Sequence, residues 1–167
     1  MLALKSLAPA AIPHALEKVE RYRLLNQPAA AESICLDILL AEPGHQTALR
    51  MLLLARTDQF TAESSALAAR AREALAQLTS EYERTYYGGL IAERRARAQL
   101  RNLMPGARHN VHEWITEAMA SYEKAERMRP ADNDDAILRW NSCARLLNAS
   151  PHIVPRGREV EEPAIGE

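Results

Sequence analysis

No stretch of this sequence approaches the roughly 18–20 consecutive apolar residues of a membrane-crossing helix. The opening stretch MLALKSLAPAAIPHAL is broken by Pro9 and Pro13 before a secretory apolar segment can form. Two cysteines are too few to staple a small disulfide fold. Cys35 and Cys143 lie far apart, each inside an apolar helical pattern, and read as buried small hydrophobes in a reducing compartment. A soluble cytoplasmic protein is the expectation. Aromatic residues are only 5% with a single Phe, and β-branched residues are few, which argues against strands. The formal net charge is -1, so no global field directs the chain to nucleic acid, a membrane surface or an acidic substrate.

What the chain does have is alanine and leucine, at helical spacing. Residues Ala15, Leu16, Val19, Tyr22 and Leu25 mark a first helix beginning after Pro13, and Ala31, Ile34, Cys35, Ile38 and Leu39 a second that starts at Pro28. Pro43-Gly44 stops it. A third helix runs from about His45 to Thr57, apolar on more than one face and so packed on two sides. Thr61 is placed to cap an alanine-rich fourth, and Ser80 with Glu83 forms a capping box opening a long fifth. Asn110 with Glu113 suggests a sixth from about Val111 to Arg129, and the acidic run 132–135 suits the start of a seventh, ending near Asn148. The expected organisation is a flexible N-terminus over 1–11, a helical domain over 12–148 and a disordered, proline- and charge-rich tail over 149–167.

Short turns between seven helices imply antiparallel hairpins. Two of them share a pattern: Tyr22, Ala31, Cys35, Ile38 and Pro43 in one, and Ala118, Tyr122, Ala125 and Pro130 in the other. Large, small and proline positions at this spacing resemble the tetratricopeptide repeat family, with its helix-turn-helix units of about 34 residues. The resemblance spans roughly residues 12 to 148. It departs from the family where the middle unit ends at Leu78-Thr79 without proline, and where MPGARHN is inserted between two helices of an enlarged third unit. It implies an all-α solenoid of two to three units plus a capping helix, since solenoids cover their final apolar face.

Catalytic signatures are missing. There is no phosphate-cradling glycine loop, no Ser-His-Asp ordering and no helical Glu-x-x-His pair, so no enzyme and no cofactor are expected. His109, His112 and Glu113 form the one candidate metal patch, with no further ligand nearby to complete a shell. Gly88-Gly89 inside the fifth helix costs about 1 kcal/mol per glycine relative to alanine and calls for a close helix neighbour. In ERRARAQLR, Arg94, Arg95, Arg97 and Arg101 cannot share one direction, because successive helical residues turn by about 100°. Glu93 shares a stripe with Gly89, Ala96 and Leu100 and is expected to be buried and paired with Arg139 or Arg145. Trp114 and Trp140 are expected as packing anchors.

The family resemblance implies a concave groove lined by the first, third, fifth and seventh helices, which would hold a protein or peptide partner. Mapped by position from the helix starts, Arg23, Arg50, Tyr87, Arg94, Arg139 and Asn141 face it, with Leu54 beside them. Arginine favours carboxylates through paired hydrogen bonds, so the expected partner is acidic. An adaptor or scaffold follows, with a repeat-built bacterial chaperone for an extended client as the alternative and a helical metal protein or enzyme behind both. Self-association through the groove or an uncapped end is compatible with each.

Overall fold

The computed structural model describes residues 2–101 and 107–157. Among these residues a 3-10 turn, Pro9–Ala11, leads into seven helices: α1 Ile12–Leu24, α2 Pro28–Ala41, α3 Gln46–Asp58, α4 Ser65–Ala76, α5 Glu81–Leu100, α6 Ala107–Glu126 and α7 Asp135–Asn148. Among the described residues there is no strand.

The turns are built from identifiable local chemistry. Asn26 takes the left-handed conformation (φ 55°), with Gln27 N–H donating to Tyr22 O at 2.8 Å and Asn26 N–H to Arg23 O at 3.0 Å. This paired closure satisfies the orphan carbonyls at the end of α1, and asparagine is the non-glycine residue best suited to it. Gly44, at φ +84°, makes the corresponding reversal after α2. His45 caps α3 through Nδ1, which accepts from Ala48 N–H at 3.2 Å. Ser80 Oγ accepts from Glu83 N–H at 3.3 Å at the start of α5. The reciprocal half of that capping box is replaced, because the Glu83 carboxylate pairs with Arg50 of α3 instead.

Two expected starts move, and the cap of α7 falls to one residue of the expected run. α4 begins at Ser65, since Thr61 N–H bonds Ser64 Oγ in a turn and Thr61 caps nothing. α6 begins at Ala107 and ends at Glu126, so Asn110 and Glu113 lie within the helix, where a capping pair has no free end to satisfy. At α7 it is Asn133 whose Oδ1 accepts from Asp135 N–H at 2.9 Å, while Asp134 makes no side-chain cap. Of the expected insertion MPGARHN, residues 107–110 belong to α6, and 104–106 fall within 102–106, which lie outside the described region.

Each helix packs on the next, α1 also touches α3 and α3 touches α5, and the broadest contact joins the 20-residue helices α5 and α6. Two apolar cores result. The first gathers α1 to α4 around Val19, Cys35, Ile38, Leu49 and Leu53 and includes Ile91 and Ala98 of α5. The second joins Tyr86, Ala92 and Ala96 of α5 to Val111, Ile115, Ala118 and Tyr122 of α6 and to Ala136 and Cys143 of α7. Positions 91 and 98 are seven residues apart and share one side of α5, whereas 92 and 96 share another. α5 is therefore a wall common to both cores. Gly89 permits the close approach of α6: a Cβ there would lie 2.9 Å from Ser121 Cβ, 3.0 Å from Tyr122 Cε1 and 3.1 Å from Ala118 O.

At the chain ends, Leu7 packs on the first core. Beyond α7, Ile153 is buried in the second, His109 Nδ1 lies 3.1 Å from Val154 O, and Arg156 pairs with Glu113 at 3.5 Å. The start of the expected tail thus folds back on α6, and its remainder, 158–167, lies outside the described residues. No described helix is long and apolar enough to cross a membrane.

Candidate interaction face

α1, α3 and α5 carry arginines that converge on one another. Asp58, in the last turn of α3, accepts from Arg23 Nε of α1 at 2.7 Å on one oxygen and from Arg94 of α5 at 2.5 Å on the other. A carboxylate at a helix C-terminus is opposed by the helix dipole. Here two guanidiniums offset that cost. Arg94 is further held by Thr57 Oγ1 at 2.6 Å and Leu54 O at 3.2 Å. Burial lowers its pKa from the ordinary value; Asp58 opposes the shift, and the like charges of Arg23 and Arg139 add to it. Arg50 of α3 bonds Glu83 of α5 and, at 2.9 Å, Thr47 Oγ1. Tyr87 lies half-buried between the two cores; burial raises its hydroxyl pKa and the nearby Arg50 charge counters it.

The second cluster centres on Glu93 of α5, whose side chain is 0% exposed. Its Oε1 accepts from Arg97 Nε at 2.7 Å and faces Arg139 of α7 at 3.6 Å; its Oε2 accepts from the buried Tyr122 hydroxyl of α6 at 2.7 Å. Arg97 also donates to Ser142 Oγ of α7 at 2.9 Å. The partner foreseen for Glu93 on the last helix is thus Arg139, not Arg145, while Arg97 and Tyr122 make its shortest bonds. Burial raises the Tyr122 pKa strongly, and the Glu93 charge raises it further. Burial lowers that of Arg139, but Glu93 together with the Tyr86 and Tyr122 hydroxyls outweighs it and holds it above the ordinary value.

The four arginines of ERRARAQLR go four ways. Arg94 reaches α3, Arg95 lies over the Trp114 ring at 4.1 Å from its centroid, Arg97 reaches Glu93 and α7, and Arg101 donates to Phe60 O at 3.0 Å. A third cluster, missed in the sequence, stands inside the first core. Glu32 of α2 binds Arg56 at 3.0 Å, Arg70 at 2.6 Å and Gln59 Nε2 at 2.8 Å. Burial would raise its pKa, but these hydrogen bonds and charges hold it below the ordinary value. The visible hint was Glu32 itself, one residue from Ala31 at the start of an apolar stripe.

Arg23 and Arg94 therefore share Asp58, and Arg139 stands within the field of Arg94, while Leu54 contributes a carbonyl. Arg50 is held by Glu83 instead, with Tyr87 in its field. Asn141 belongs to neither group. It lines a separate cleft between α6 and α7 with Glu123, Glu126, Ile137 and Trp140, because two helical positions turn it about 200° from Arg139. His109 lies against Val154 O and Glu113 pairs with Arg156, and among the described residues no three metal-binding side chains gather. Neither a family model, a curated protein nor a solved structure matches this chain.

Proposed function

We propose that the protein is a non-catalytic interaction module, an adaptor or scaffold that receives an acidic segment of a protein partner across the face of α1, α3, α5 and α7. One observation carries this: the ion pairs of α1, α3, α5 and α7 set five arginines (Arg23, Arg50, Arg94, Arg97, Arg139) against three carboxylates (Asp58, Glu83, Glu93). Within these pairs the guanidiniums outnumber the carboxylates by two, on a chain whose net charge is -1. The guanidiniums are held by their own carboxylates, so a ligand meets preorganised donors and loses little side-chain entropy in binding them. A tetratricopeptide-like stack belongs to the same proposal. Its support is the order of packing, α1 on α3 and α3 on α5, and the full burial of Ala31, Cys35, Ile38, Ala118, Tyr122 and Ala125 at the positions where such repeats cross.

The test is capture of partners from the source cells with the native protein and with Arg50→Glu, followed by titration of the captured protein's acidic segment as a synthetic peptide. Arg50 is one-third exposed, so the exchange tests the face with little demand on the core; circular dichroism checks the fold. Binding that weakens in Arg50→Glu and falls with salt supports the proposal. A partner held equally by both proteins, or by neither, overturns it.

A further inference from the structure

The cleft that holds Asn141 has a chemistry of its own. It lies between α6 and α7, and its volume of about 280 Å³ has room for one long side chain.

 Its walls are Ile137 and Trp140 of α7, and over them lean Glu123 and Glu126, which stand three residues apart and so share one side of α6. Glu123 accepts from Trp140 Nε1 at 3.0 Å, which fixes the indole against α6. Glu126 meets Arg129 at 3.7 Å, but that guanidinium is the closer partner of Asp134, at 3.1 Å. Leu138, three residues before Asn141 and so its neighbour on the surface of α7, is 64% exposed.

The other tryptophan shows how this protein completes such a surface. Trp114 is covered by the Arg95 guanidinium, whereas among the described residues no cation covers Trp140. An indole face, an aliphatic wall and two carboxylates together favour a cation on an apolar stem, because the stem buries against carbon while the charge meets the carboxylates and the ring. We infer that the α6–α7 cleft takes a lysine or arginine side chain of a protein partner, set between Glu123 and Glu126 over Trp140, with an adjoining apolar residue of that partner on Leu138. This site does not depend on the arginine face, from which α7 separates it.

Trp114→Phe leaves Trp140 as the sole indole, so its emission reports the cleft alone. The probes are acetyl-Leu-Arg-Leu-amide and its glutamine counterpart. Expected is a saturable change with the arginine peptide, an affinity loss of about fivefold or more in Glu123→Gln/Glu126→Gln, and no saturable change with the glutamine peptide. Equal responses to the two peptides, or an arginine response untouched by the double exchange, would overturn the inference. If Trp114→Phe does not fold, the Trp140 indole N–H resonance of the unaltered protein, assigned by its loss in Trp140→Phe, gives the same readout.

Discussion

Replacing Glu93 by alanine should be among the most damaging single changes in this chain. The carboxylate is fully buried and has three partners: Tyr122 at 2.7 Å, Arg97 at 2.7 Å and Arg139 at 3.6 Å. Losing one member of a fully buried ion pair costs about 3–5 kcal/mol. Arg97 and Arg139 are 34% and 38% exposed, so water can recover part of their solvation and the ionic loss falls toward the low end of that range. The Tyr122 hydroxyl has no such access, and leaving it unsatisfied costs about 1–3 kcal/mol. A total of about 4–6 kcal/mol follows, and at about 2–4 °C per kcal/mol for a chain of this size the melting point should drop by roughly 8–24 °C. Glu93→Gln keeps the shape and an acceptor for Tyr122 and should lose about half as much. Urea unfolding followed by helical circular dichroism measures both, and Tyr122→Phe completes a double-mutant cycle. A Glu93→Ala melting point within 2 °C (about 1 kcal/mol) of the original, or strict additivity with Tyr122→Phe, would refute the reasoning.

Adjacent glycines should respond with opposite signs. Gly88→Ala places its methyl 3.7 Å from Leu75 Cδ2, an ordinary contact, and should stabilise by about 0.5–1 kcal/mol through helix propensity; Gly89→Ala meets Ser121, Tyr122 and Ala118 at 2.9–3.1 Å and should destabilise by about 1–3 kcal/mol, both read from urea midpoints. Glu32 has a lowered folded pKa, so its contribution is present above the unfolded carboxylate value near 4.5 and is lost as pH falls through the folded one. The stability gap between the native protein and Glu32→Gln should therefore be full at pH 6 and shrink on acidification below pH ~4; a gap independent of pH contradicts the assignment. Burial pushes the Cys35 and Cys143 thiols up to about 12. Alkylation at pH ~8 should wait on unfolding, as thiolate is the reactive form, and mass spectrometry showing rapid labelling of folded protein would count against their burial.

Much of the fold was legible because helix formation follows spacing along one chain. The stripes of α1, α2 and α3 and the reversals at Asn26 and Gly44 are local facts, and they appear where the residues place them. The start of α6 was misplaced although Ala107, Val111, Ile115, Ala118 and Tyr122 form one buried stripe. Asn110 and Glu113 imitate a cap, and an exposed helical surface tolerates the same pair. The burial of Glu93 was readable for a similar reason: it shares its stripe with Gly89 and Ala96, so the contact that buries those residues buries it too.

Side-chain partners were less accessible, because a pairing depends on what a second helix presents at the same height. Asp58 joins Arg23 and Arg94 across 35 and 36 residues, and nothing in the sequence marks those distances. Asn141 was grouped with Arg139 by position alone, and the helical turn sends the two to opposite sides of α7. By itself the sequence determined that this chain makes helices, where most of them break and which of their faces are apolar, since those depend on near neighbours. Only the tertiary structure decided that α5 serves two cores, that the arginines share their carboxylates across helices, and that Trp140 stands over an acidic cleft. Such contacts exist only once distant segments have been brought together.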